Sequence, residues 1–152
     1  MPLVLNEQQA LLKSTAEEFF LNKAPVSALR ALRDNRDVNG FSRALWQEIV
    51  AMGWPGASLP EQYGGLGLGF TELGIVMQAS GRTLVASPLL SSIVLSASGI
   101  LLGGNEVQKS ALLPRIASGD LLMSLALQEG PHHNPCAIAA TADAQSDGYL
   151  LN

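Results

Sequence analysis

The hydrophobic pattern of this chain changes period once, at Gly119-Asp120, and that change limits what the sequence can become. Before it, apolar residues recur at three- and four-residue steps, the spacing of helices lying on a core. After it, five apolar residues among Leu122 to Leu127 make a short run of strand length, bounded by Gly119-Asp120 on one side and Gly130-Pro131 on the other. The run predicts a buried strand that ends in a turn.

The helical part divides at its own punctuation. Asn6 with Gln9 has capping-box spacing and predicts a helix over about 7–22, with Leu12, Ala16, Phe19 and Phe20 on one side and Pro25 ending it. A short helix over Ser27 to Arg33 and a polar loop from Asp34 to Gly40 follow. Phe41, Leu45, Ile49 and Met52 predict a third helix that Gly53 stops. Thr71 is placed to cap a fourth, with Glu72 in its first turn and Leu73, Val76, Met77 and Leu84 along it. Ser87-Pro88 reads as an N-cap with proline at the first helical position, opening a fifth helix to about Leu102 with almost no charged face, expected to be buried on most sides. Asn105 with Gln108 repeats the capping-box spacing before a sixth helix that Pro114 divides and Gly119 ends.

Between Trp54 and Phe70 the text WPGASLPEQYGGLGLGF is too rich in Gly and Pro for a helix or strand to run through it. Its GGLGLG portion invites a phosphate-loop reading. No strand precedes it and no P-loop lysine follows, so a structural turn is the expectation. Beyond the strand at 122–127, Ala137 to Ala142 is a weaker candidate strand, Asp143 to Gly148 a turn, and Tyr149-Leu150-Leu151 the start of a third strand. The chain is therefore expected to be mainly α, with about six helices over residues 1–119 and the truncated start of a β-domain over residues 120–152. Truncation is the expectation because a two- or three-stranded remnant is only marginally stable alone.

Composition removes several function classes. A chain of 152 residues, 47% hydrophobic, is long enough for one independent core. A net charge of -4, with no cluster of Lys and Arg, leaves no electrostatic footprint for nucleic acid. The most apolar window, Leu89 to Leu102, is interrupted by Ser and Gly and falls short of the ~20 residues a bilayer span needs, so no membrane insertion is expected. The start, MPLVLNEQQALLK, lacks the pattern of a cleavable leader. The single Cys136 demands no oxidising compartment, and a cytoplasmic location is the expectation.

Two segments resemble a known family. LPEQYGGLGLGFTELGIVMQASGRTL (Leu59 to Leu84) and GGNEVQKSALLPRIASGDLLMSLALQEG (Gly103 to Gly130), with the DGYLLN ending, are similar to the N-terminal domain of flavin-dependent acyl-CoA dehydrogenases. The resemblance implies a helical bundle, then a β-domain, then a C-terminal four-helix bundle, with FAD and acyl-CoA held where the three meet. It implies removal of an α proton by a glutamate base and departure of hydride from the β carbon to the flavin. It places that base in the C-terminal bundle, so no catalytic residue is expected within residues 1–152. It also implies an electron-transfer partner for the parent enzyme and assembly as a homo-oligomer or as a heteromer with a related subunit.

The family's flavin contacts follow a pattern YxVTEPGAGSD. Laid on Leu125 to Pro135, the resemblance puts Leu125, Leu127, Gln128, His133 and Asn134 at the cofactor. Glu129 keeps its place, Gln128 holds the threonine position, Gly130 the proline and Asn134 the serine, while His132 and His133 stand where small residues are expected. The backbone groups of Leu127 and Gln128, and the Gln128 amide, would serve the flavin ring.

The same turn admits other readings. His132, His133 and Cys136 suggest metal, but adjacent histidines on an extended chain point to opposite faces and further ligands are not in sight. An exposed turn is preferred, with pocket-lining histidines as the alternative. Glu129 stands at the end of the strand as either a general base or a carboxylate capping backbone amides, and capping is preferred. Two readings of the whole remain open beside the enzyme: a non-catalytic partner subunit of a heteromeric acyl-CoA dehydrogenase, and a free-standing helical module.

Overall fold

A computed structural model describes residues 4–152. Residues 1–3, part of the start on which no cleavable leader is expected, lie outside the described residues. Six α-helices, one π-helix and two strands follow in order: α1 (Glu7–Lys23), α2 (Val26–Asp34), α3 (Arg43–Ala51), α4 (Phe70–Arg82), the π-helix (Leu89–Ala97), α5 (Ser98–Gly103), α6 (Glu106–Ala117), β1 (Ala142–Gln145) and β2 (Gly148–Leu151). The mainly helical bundle with a short β start is thus the architecture the chain adopts.

Local chemistry sets the helix starts. The Asn6 side chain accepts from the Gln9 amide at 2.8 Å while the Gln9 side chain accepts from the Asn6 amide at 3.1 Å, and Asn105 with Gln108 repeats the pair at 2.9 Å in both directions. Two amides that a helix end leaves unpaired are satisfied at each site. Ser42 caps α3 by accepting from the Leu45 amide. The fourth helix departs from expectation: Thr71 lies inside it and Gly69 is its cap, because the Glu72 carboxylate reaches back to accept from the Gly69 amide at 2.9 Å.

α1 and α4 lie side by side and point the same way. Gln9 donates to Glu72 at 2.8 Å near their starts, and Arg82 meets Glu17 at 2.9 Å near their ends. The core forms against this pair. Phe20, Ile49, Leu73, Val76, Leu89, Ile93, Leu113 and Ile116 are fully buried, and Phe19, Phe20 and Trp54 pack with ring centroids 5.0–5.2 Å apart. Burying each large aliphatic or aromatic side chain contributes roughly 1.5–3 kcal/mol.

Hydrogen bonds from Gln9 and from the Gly69 amide hold the Glu72 carboxyl below the usual glutamate range. A depressed carboxyl contributes stability that is present above its unfolded pKa and lost as pH falls through the folded one. The acid limb of a stability profile is therefore expected to steepen below the ordinary glutamate value of 4.5. Glu72→Gln should flatten that limb in urea titrations taken across the same pH range. An unchanged acid limb in the variant would remove this role.

Several expectations need correction. Pro114 does not divide α6; the helix runs through it to Ala117. An interior proline costs about 3 kcal/mol, and full burial of its neighbours Leu113 and Ile116 is of a size to offset it. Leu84 lies past the end of α4, half-exposed, with a left-handed φ of +55°. The fifth helix is π over Leu89–Ala97 and α only afterwards, and Pro88 rather than Ser87 is its cap. Its inner side is buried as expected, but Leu90, Leu95 and Leu102 are exposed.

The strand expected at 122–127 does not form: the segment belongs to no helix or strand. Among the described residues, 124–128 makes no backbone–backbone hydrogen bond, and Leu125 and Leu127 are about half-exposed rather than buried. An apolar run reports a preference for extended chain; a strand also needs a neighbour, and here pairing is confined to the hairpin beyond it. That hairpin matches Ala142 with Leu151 and Gln145 with Gly148, so its strands and its Ser146-Asp147 turn fall a few residues from the expected bounds.

Candidate functional site

The site is built where the π-helix meets the segment that leaves α6. Gly119 takes a φ of +74° after the last turn, its amide donates to Ile116, and the chain turns back beneath Trp46, whose indole donates to the Gly119 carbonyl at 3.1 Å. Ser92, fully buried on the π-helix, then fastens the next stretch. Its hydroxyl accepts from the Met123 amide and donates to the Met123 carbonyl, both at 2.9 Å. One side chain thus satisfies both backbone groups of a residue that has no strand beside it.

The π geometry serves this tether. Ser96 donates to the carbonyl of Ser91, five residues back, at 2.8 Å, a hydroxyl bond spaced like the π-helix ladder. Between the π-helix and the tethered segment lies an open hollow of about 510 Å³, lined among others by Phe41, Ala86, Pro88, Ser91, Ser92 and Met123. Its wall mixes apolar side chains with the hydroxyls of Ser87, Ser91, Ser92 and Ser124 and the Asn39 amide, and carries no charged side chain.

Ser92→Ala is expected to leave the Met123 amide and carbonyl unpaired at a cost of about 1–3 kcal/mol. Hydrogen exchange at the Met123 amide should accelerate while the α1 and α4 amides keep their protection. Uniform acceleration would mean that Ser92 supports the whole core and not this segment in particular.

Past the hollow the five residues predicted at the cofactor separate into two groups. Leu125 and Leu127 lie on the exposed extended segment with their backbone groups unpaired by other backbone. Gln128 and His133 meet each other, Nε2 to Nδ1 at 3.0 Å, and the Asn134 carbonyl accepts from Ala137 in a β-turn that carries Pro135 at its second position. None of the five lines the hollow, which the segment borders through Leu122, Met123 and Ser124. Sequence reasoning missed the Ser92 tether; the signal was a serine in a helix with no polar face, where a buried hydroxyl must find a partner.

Glu129 takes the capping role. Its carboxylate accepts from the Ala139 amide at 2.7 Å and the Ala140 amide at 3.1 Å, closing the turn. Both oxygens are so engaged that a proton-abstracting role has nothing to support it. Among the described residues no group of three or more His, Cys, Asp or Glu is placed to hold a metal, and His132, His133 and Cys136 do not assemble.

The Gly-rich loop is a structural turn. The amides of Gly65, Leu66, Gly67 and Leu68 donate to the carbonyls of Pro60, Gly56, Leu59 and Ala57, leaving none of the four for a phosphate. Tyr63, in the same loop, donates to Glu106 at 2.8 Å and, with Lys109, holds that carboxyl below its usual range. Among the described residues no helix is long and apolar enough to cross a membrane.

The family profile "Acyl-CoA dehydrogenase, N-terminal domain" matches residues 6–120, and the chain belongs to that family, the flavin-dependent acyl-CoA dehydrogenases. It is 32% identical over 151 residues to isovaleryl-CoA dehydrogenase of Bos taurus, covering 97% of this chain and 35% of the relative. To an acyl-CoA dehydrogenase of Mycobacterium tuberculosis it is 33% identical over 155 residues, covering 93% of this chain and 35% of the relative.

Among solved structures, the ChsE4-ChsE5 complex from Mycobacterium tuberculosis superposes with a TM-score of 0.83 at 25% identity, over 99% of this chain and 40% of that one. An acyl-CoA dehydrogenase from Bacillus anthracis complexed with FAD gives 0.76 at 26% identity, over 99% of this chain and 26% of that one. The chain spans about a third of the length of the curated relatives it matches.

Proposed function

We propose that this chain supplies the helical wall and one flavin-facing edge of an FAD-dependent acyl-CoA dehydrogenase. Residues 1–119 would be the wall and residues 120–152 the start of the β-domain. The observation that carries the reading is the Ser92–Met123 tether, which holds the edge of an uncharged hollow and releases an open-backboned segment immediately past it.

The residues present fit a flavin. The unpaired amides and carbonyls of 125–128 match in kind the alternating donors and acceptors along the polar edge of its ring system, and Leu125 and Leu127 offer apolar surface beside them. Leu125, Leu127, Gln128, His133 and Asn134 are the residues that would hold it. When bound, FAD would supply the hydride acceptor for α,β-dehydrogenation of an acyl-CoA thioester. The hollow would orient the acyl chain and exclude water, the Glu129 clamp would keep the turn closed, and the proton-abstracting carboxylate would come from residues outside 1–152. Electrons would then pass to a separate electron-transfer partner. The exposed thiol of Cys136 suits a reducing compartment such as the cytoplasm.

The test is the visible spectrum of the whole protein that carries this chain, since residues 1–152 alone should turn over no substrate. A flavin band that bleaches on anaerobic addition of acyl-CoA is the expected result. A second reading has its own observation: Gln128, at the family's threonine position, is engaged by His133 within the chain, and one solved relative is the ChsE4-ChsE5 complex. A colourless protein that becomes active only with a related subunit would favour that non-catalytic partner role. A colourless protein that neither binds acyl-CoA nor gains activity would remove both.

A further inference from the structure

The helix α2 sits on a cleft instead of on packed side chains. Ala28, Leu29, Ala31, Leu32 and the C-cap Asn35 recur at the three- and four-residue spacings of one helix face, and all five line a cleft of about 260 Å³. No residue of α2 is buried. The opposite wall is formed by Leu45 on α3 and by the turn that leaves α4, Thr83 to Ala86.

That wall contains a polar group the fold does not use. Thr83, the C-cap of α4, is 6% exposed, and its hydroxyl pairs with nothing among the described residues. Buried hydroxyls are paired as a rule, and an orphan carries its full desolvation cost, so a valine of the same shape would pack here with less penalty. One step of χ1 exchanges a threonine's hydroxyl with its methyl, which lets a wall residue of this kind turn its oxygen to an occupant. Ser42, on the same cleft, accepts from the Leu45 amide and keeps its own proton to give. The charges at the rim are already committed: Lys23 pairs with Glu48 at 2.8 Å, and Asp37 accepts from the Asn39 and Gly40 amides. The cleft therefore offers apolar surface and hydroxyls without an uncommitted charge.

We propose that this cleft is a binding site for a compact, uncharged hydroxylated hydrocarbon, whose body lies against Leu29, Leu32, Leu45 and Val85 and whose hydroxyl pairs with Thr83. At the ~30 Å³ of a water molecule, 260 Å³ takes about nine non-hydrogen atoms, the size of a single substituted ring. A ligand hydroxyl both donates and accepts, so it pairs with the Thr83 hydroxyl in either sense. A charged ligand would lose its hydration and meet no counter-charge. Occupation would give the apolar side of α2 the packing it lacks, so the ligand and α2 become ordered together. The site needs nothing from the acyl reading of the hollow.

The experiment is calorimetric titration of the whole protein that carries this chain with p-cresol and with p-xylene, which keeps the shape and puts a methyl in place of the hydroxyl. Hydrogen exchange over Val26–Asp34 is followed alongside. The unaltered protein should bind p-cresol about tenfold more tightly than p-xylene, and p-cresol should slow exchange in α2. Thr83→Val should lower the p-cresol affinity to that of p-xylene and leave p-xylene unchanged. Ala28→Trp, which fills the cleft from the exposed helix above it, should abolish binding of both. Equal affinities in the unaltered protein, a preference that survives Thr83→Val, or binding that leaves α2 exchange unchanged would overturn the proposal. So would the absence of p-cresol binding, or native binding in a folded Ala28→Trp variant. Should Ala28→Trp fail to fold, Thr83→Val, which removes an unpaired buried hydroxyl, still decides the matter.

Discussion

Gly65→Ala is expected to cost about 3–5 kcal/mol, near the top of what one methyl group can do to a folded chain. A Cβ at this position would stand 2.0 Å from the Leu59 carbonyl oxygen and 2.4 Å from its carbon. Those atoms are backbone, and the oxygen is already fixed by the Gly67 amide at 2.9 Å, so neither can yield without undoing the turn. The loop would open, and with it the links that hold Leu59 and Tyr63 in the core. Thermal unfolding should fall by roughly 6–20 °C for a chain of this size. Alanine at Gly64, where the added atom meets nothing within 4 Å, is the control, and it should cost only the ~1–2 kcal/mol of a left-handed φ. Equal losses at the two glycines would overturn the argument.

Gly119→Ala should cost about 2–4 kcal/mol, for two reasons that add. The φ of +74° disfavours any side chain, and the new Cβ would fall 2.3 Å from Val50 Cγ2 and 3.2 Å from the Trp46 indole nitrogen. The bond from Trp46 to the Gly119 carbonyl would be disturbed at the same point. Tryptophan fluorescence should therefore shift before the rest of the core unfolds in urea. A variant with native Trp46 emission and native stability would show that the chain can turn here without glycine.

How much of this was readable in advance depended on whether the physics was local. Asn6 with Gln9 and Asn105 with Gln108 are self-contained: the residues that cap are the residues that need capping, three positions apart, and the sequence shows both. The Glu129 cap was legible for the same reason, an acidic side chain beside a turn with amides to satisfy. The Gly-rich loop was legible as a turn because its glycines exclude every regular alternative.

Other features depend on partners distant in sequence. Ser92 and Met123 are 31 positions apart, and only the fold makes one the anchor of the other. The π geometry at 89–97 leaves no periodic mark in a stretch that is apolar on nearly every side. Pro114 looked like a break because its cost is local while the burial that offsets it comes from other helices. At residues 125–134 the family pattern supplied positions, but nothing in it foretold that Gln128 and His133 would bond to each other.

The same-way pairing of α1 and α4 has a consequence for how the chain is made. Gln9 and Glu72 are 63 positions apart, and Glu17 and Arg82 are 65 apart, so α1 lacks its α4 docking surface until that much more chain has been made. At ~5–20 residues per second that interval lasts roughly 3–13 s, far longer than a helix takes to form. Phe19 and Phe20 gain Trp54 on the way, but only α4 brings the Gln9–Glu72 and Arg82–Glu17 contacts. The face of α1 that docks on α4 is thus left open during the very seconds in which α2, α3 and the Gly-rich loop are being synthesised.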